Sequence, residues 1–129
     1  MKQLHGLTQA HGLIDSKKFD ACLAELDIVA KLRHPSIIML LAAVLHRENP
    51  CMVLELAQHG DLQSAMVGKG RRLPRSLALR FLKDVACGVE YLHSRDPVFV
   101  HHGLKTENVL LVGTGAIDLA TAKLAEVSC

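Results

Sequence analysis

Cysteine is scarce and scattered in this chain: Cys22, Cys51, Cys87 and Cys129 lie far apart, with no C-x-x-C pair and no Cys/His spacing of the zinc type. That argues against a disulfide scaffold or a zinc module and sets a reduced, intracellular environment as the expectation. Long apolar runs are also missing. The longest, 37–45, is about half of what a bilayer crossing needs, so no membrane span is expected. No basic start leads into an apolar stretch, so no secretory signal is read, and a cytoplasmic location follows by elimination. Charge of one sign is not in excess either. The formal net charge of +2 is too small for a nucleic-acid footprint, and the basic cluster at 69–75 is broken by Gly70, Leu73 and Pro74 into a solvated loop. What remains is 129 residues, half of them hydrophobic and 22% charged, the composition and length of one globular domain.

The apolar residues Phe19, Cys22, Leu23, Leu26, Val29 and Ala30 recur at three and four, which predicts an amphipathic helix over 16–32. Asp15 or Ser16 is placed to cap it. Arg33-His34-Pro35 ends it, because the residue before proline is pushed out of the α region. Two apolar runs, 37–45 and 51–56, flank the polar turn His46-Arg47-Glu48-Asn49-Pro50 and read as a hairpin. A short helix is expected over 61–67, followed by a Gly68-Lys69-Gly70 loop. Pro74 suits the start of a long core helix whose face is traced by Leu77, Phe81, Leu82, Val85, Val89 and Leu92. Short strands are expected at 98–100, 109–112 and 116–119, with Gly113-Thr114-Gly115 as the last turn. No internal repeat or low-complexity tract is visible.

Chemistry concentrates in His101-His102-Gly103-Leu104-Lys105-Thr106-Glu107-Asn108, followed by the apolar Val109-Leu110-Leu111 and by Asp118-Leu119-Ala120. This stretch resembles the H-R-D-L-x-x-x-N loop and D-F-G segment of protein kinases. His101, Leu104 and Asn108 match. His102 stands where Arg belongs, Gly103 stands where the catalytic Asp belongs, and Leu119 and Ala120 replace Phe and Gly. The order of helix, hairpin, helix, loop and short hairpin is also that of a kinase between its regulatory helix and its activation segment.

The resemblance implies a role for each matched position. Phosphoryl transfer needs held phosphates, placed metal ions and a deprotonated acceptor hydroxyl. Asn108 and Asp118 would be the metal ligands, suited as oxygen donors to Mg²⁺. Lys105 would steady the transferring phosphate, a residue of the serine/threonine type. Lys2 and Glu25 form the candidate ion pair of small-lobe strand and regulatory helix. Leu54 as gatekeeper, Glu55, Leu56 and Ala57 as hinge, together with Asp61 and Leu110, would contact the nucleotide. Val29, Leu40, His101 and Leu119 would form the regulatory spine. Gly103 is the decisive departure, because it leaves no side chain to accept the hydroxyl proton, and a positioned base is worth about 10²- to 10⁴-fold in rate. With Arg absent from 102, the usual receptor for an activation-segment phosphate is lost as well.

The expected fold class is therefore α+β, a partial kinase-like bilobed fold with 1–57 as the remnant of the small lobe and hinge and 58–129 as the first part of the large lobe. The Gly-rich loop would precede Lys2, and the rest of the activation segment would follow Cys129. The implied function is that of a pseudokinase or truncated kinase, with weak or absent binding of ATP and Mg²⁺, acting on protein partners in signalling. The alternative is an active serine/threonine kinase within a longer chain. Nucleic acid and a membrane span are not among the expected partners.

Overall fold

The helical periodicity at the start of the chain becomes α1 (Ser16–Lys31) in this computed structural model, which describes residues 2–3, 16–46, 51–67 and 72–125. The remaining elements follow as β1 (Lys2–Gln3), β2 (Leu40–Val44), β3 (Cys51–Leu54), α2 (Leu62–Val67), α3 (Arg75–His93), β4 (Val109–Val112) and β5 (Thr121–Leu124). Two 3₁₀ turns, Thr106–Asn108 and Ile117–Leu119, precede the last two strands.

The chain divides into two units, Met1–Leu32 with Met39–Glu55, and Arg33–Ile38 with Leu56–Cys129. In the first unit β3 is the centre of an antiparallel sheet ordered β1-β3-β2, with Lys2 opposite Met52 and Val44 opposite Cys51. The register shifts between Leu40 and Ala42. The expected hairpin is thus present but shorter than the apolar runs. Among the described side chains of this unit, Leu26 of α1 and Leu32 just after it are buried.

The second unit explains why the first apolar run is shortened. Ile37 and Ile38 leave it and dock on β5: Ile38 N–H donates to Leu124 O at 2.9 Å, and Leu124 N–H donates to Ser36 O at 2.8 Å. Gly88 of α3 makes this docking possible, because a Cβ there would sit 2.9 Å from Ser36 O and 3.1 Å from Leu124 Cδ1. The segment is pinned further by Tyr91, whose hydroxyl accepts the Arg33 N–H at 3.0 Å and whose ring stacks on His34. Phe81, Leu92, Leu111 and Leu124 are the largest fully buried side chains among the described residues. Each contributes about 1.5–3 kcal/mol of apolar burial.

The face of α3 is Leu77, Phe81, Gly88 and Leu92, whereas Leu82, expected on it, is 61% exposed. Two expected strands are corrected. Residues 98–100 form no strand; Phe99 is buried there and its N–H caps α3 by donating to Leu92 O. Residues 117–119 are a 3₁₀ turn, and the returning strand begins at Thr121. The β4–β5 register is Val109 opposite Leu124 through Val112 opposite Thr121. Alternation explains this choice: Ala122 and Leu124 are buried while Thr121 and Lys123 are half-buried, the period of two that a strand imposes.

Candidate functional site

The loop between α3 and β4 is built around His101, which is buried. Its Nδ1 accepts the Gly103 N–H at 3.2 Å, so that nitrogen carries no proton. The proton then resides on Nε2, which donates to Ala125 O at 2.8 Å. One imidazole therefore ties the turn at 102–103 to the end of β5.

Asn108 completes the same junction from the other side. It closes the first 3₁₀ turn, is 5% exposed, and its Nδ2 donates to Gly103 O at 2.7 Å. Its backbone carbonyl accepts the Ala125 N–H at 2.8 Å. Its Oδ1 makes no hydrogen bond among the described residues and is left for another donor or a cation. Gly103 lies between these two side chains, outside the left-handed backbone region, and a Cβ built on it would fall 3.1 Å from Asn108 Nδ2. A side chain at 103 would project beside Asn108, and here nothing does.

Lys105 is exposed one residue before the 3₁₀ turn. Thr106 anchors that turn to α2 by donating from its hydroxyl to Gln63 Oε1 at 2.7 Å. Neither Thr106 nor Gln63 stands out in the sequence, since a polar pair 43 residues apart carries no local signal.

Asp118 does not join this junction. It sits in the second 3₁₀ turn, exposed, beyond the Val112–Thr121 end of the hairpin, whereas Asn108 and Ala125 lie at the opposite end. Four residue pairs separate them, about 13 Å along the strands. The expected metal pair Asn108–Asp118 is thus not formed, because the returning strand begins at Thr121, five residues later than read. Leu119 is 73% exposed and so is not a buried spine residue. The position that meets Asn108 is Ala125, and the residues after it read Glu126-Val127-Ser128, outside the described residues.

Of the expected nucleotide contacts, Asp61 and Leu110 are brought together as an isolated antiparallel bridge. Gly60, at φ +70°, makes the turn into it, and Leu111 N–H donates to Gly60 O at 2.8 Å. The Asp61 carboxylate caps α2: Oδ1 accepts the Ser64 N–H at 2.8 Å and Oδ2 the Ser64 hydroxyl at 2.8 Å. The Ser64 backbone N–H, helped by its hydroxyl, holds this carboxyl below the ordinary aspartate value. Leu56 is exposed and Ala57 half-buried, with Ala57 O accepting the Gly60 N–H. In the first unit, Leu54 is half-buried and Glu55 locks the end of β3, its N–H donating to Met39 O and its Oε1 accepting the Met39 N–H. Lys2 lies in β1 and Glu25 in α1, and their side chains, hence the ion pair, fall outside what is described.

A family model described as protein tyrosine and serine/threonine kinase matches residues 9–128. The serine/threonine-protein kinase VIK of Arabidopsis thaliana is 40% identical over 95 residues, covering 74% of this chain and 22% of that protein. Integrin-linked protein kinase 1 of the same plant is 37% identical over 108 residues, 82% of this chain and 22% of its own length. The probable serine/threonine-protein kinase drkD of Dictyostelium discoideum is 35% identical over 103 residues, 80% of this chain and 8% of its own. This chain therefore spans less than a quarter of each of these curated relatives. A catalytic-loop sequence held between a long helix and a short hairpin, with a family match over nearly all of the chain, leads to one conclusion: the chain belongs to the protein tyrosine and serine/threonine kinase family and carries part of the kinase domain.

Proposed function

We propose that this chain is a pseudokinase-like module of the serine/threonine type, which engages nucleotide weakly and acts through protein partners in signalling rather than by phosphoryl transfer. The observation that supports it is Gly103. Its neighbours keep the loop in place through His101 and Asn108, yet the position beside Asn108 carries no carboxylate to take a proton from an acceptor hydroxyl. Part of the loop's architecture is retained while its base is gone. A cytoplasmic location belongs to the same proposal; among the described residues no helix is long and apolar enough to cross a membrane.

The family uses ATP and Mg²⁺ in general. Asn108 Oδ1 is a suitable oxygen donor for a hard cation. Among the described residues no group of three or more His, Cys, Asp or Glu converges, and Asp118 lies at the other end of the hairpin from Asn108. On this reading Lys105 faces the phosphate.

Thermal-shift titration with ATP, with and without Mg²⁺, tests the nucleotide half of this reading, and transfer of labelled γ-phosphate to a generic protein substrate tests the other. A small shift with no transfer is expected. Sustained turnover with Gly103 unaltered overturns the pseudokinase reading.

A further inference from the structure

A two-stranded sheet leaves β5 with an open edge, a row of unpaired N–H and C=O groups that ordinarily invites another strand. Here several of those groups are occupied from elsewhere in the second unit. At its C-terminal end the main chain of 36–38 does this, with Ser36 O and Ile38 N–H bonded to Leu124. Toward its N-terminal end, side chains of α3 take over. Asp84 Oδ2 accepts the Ala122 N–H at 3.1 Å, and Arg80 donates from its guanidinium to Ala120 O at 3.0 Å. Arg80, Asp84 and Gly88 are spaced by four, on one side of the helix, so a basic residue, an acidic residue and a missing side chain meet successive parts of the same strand edge.

The end of β5 is also the anchor of the catalytic loop. Ala125 O receives His101 Nε2–H, and Ala125 N–H donates to Asn108 O. We propose that Arg80 and Asp84 are positioning residues: by fixing the strand edge they set where Ala125 lies, and through Ala125 they orient His101 and Asn108. The proposal rests on reading 101–108 as the catalytic loop. It stands apart from whether that loop binds nucleotide.

Amide exchange measured by NMR on the whole chain tests it, together with the ring ¹⁵N shifts of His101, which report which imidazole nitrogen carries the proton. In Asp84→Ala the Ala122 and Ala125 amides should exchange at least about tenfold faster, and the His101 ring signals should move away from the Nε2–H pattern. The Leu111 amide, bonded on the other side of β4 to Gly60 O, should stay protected. Asp84→Asn, which keeps an acceptor for the Ala122 N–H, should restore both signals. Arg80→Gln, which removes the guanidinium from Ala120 O, supplies a second variant with the same expected direction should Asp84→Ala not fold. Faster exchange at Ala122 with Ala125 and His101 unchanged overturns the proposal. So does a rise at Leu111 in step with the others, which marks loss of stability without positioning. ATP titration of the same samples, with and without Mg²⁺, separates the two readings: no nucleotide binding by the unaltered chain counts against the proposed function, while localised exchange still supports the role of Arg80 and Asp84.

Discussion

The two ends of the β4–β5 hairpin differ in almost every physical respect. At one end Asn108, Val109, Leu124 and Ala125 are buried, and Ala125 is bonded to both His101 and Asn108. At the other end Thr114, Gly115, Ala116, Asp118 and Leu119 are exposed, around a 3₁₀ turn. The buried end is bonded to the 101–108 loop, and the exposed end is a connection. Asp118 has the right residue type for a metal ligand and the wrong end of the strand. Residue identity selects candidates, whereas the strand register decides which of them can meet.

Substitutions on the two ends should therefore differ several-fold in stability. Leu124→Ala removes a fully buried side chain packed below Gly88, and should cost about 2–5 kcal/mol in a denaturant melt. Gly88→Val should follow at about 1–3 kcal/mol, because its first side-chain atom already collides with the Ser36 carbonyl, a backbone atom that cannot turn away. His101→Ala leaves the Ala125 carbonyl and the Gly103 N–H without their partner, and should cost about 1–3 kcal/mol while releasing the Ala125 end of β5. Leu119→Ala at the exposed end should change stability by less than about 0.5 kcal/mol. A large loss at Leu119, or a negligible one at Leu124, would erase the distinction between the two ends.

A smaller effect comes from the cap of α2. The Asp61 carboxyl titrates below its unfolded value, so its contribution is present above that value and disappears as pH falls through the depressed native one. Acid melts of the unaltered chain and of Asp61→Asn should converge at the low-pH end and separate as pH rises. Curves that stay parallel throughout would deny the cap its role.

Much of this architecture can be read in the sequence, and the exceptions have physical causes. The long helix from Arg75 to His93 announces itself through Leu77, Phe81 and Leu92 at helical spacing, and Pro74 marks its start. Leu82 lies next to Phe81 in sequence, and a simple apolar count does not separate it from the buried face. The family resemblance is legible because His101, Leu104, Lys105 and Asn108 keep a fixed local spacing. The returning strand is not. Ile117 and Leu119 are more apolar than Thr121 and Lys123, and the two glycines at 113 and 115 suggest an immediate reversal, so hydrophobicity favours the wrong segment. The alternation of Ala122 with Leu124 was the available signal. Likewise the run at 37–45 looks like one strand, since nothing local says that Ile37 and Ile38 pair with a segment more than 80 residues away. The side chains that seal β5, Arg80 and Asp84, are invisible for the same reason.

Phosphoryl transfer under single-turnover conditions, comparing the unaltered protein with Gly103→Asp, is the most direct test of the central claim that the loop retains its anchors and lacks its base. The Cβ position beside Asn108 needs only a few tenths of an ångström of movement to take the new side chain. The account predicts no transfer above background for the unaltered protein and an increase of about 10²- to 10⁴-fold for Gly103→Asp. Transfer by the unaltered protein at a rate that Gly103→Asp does not raise would contradict it.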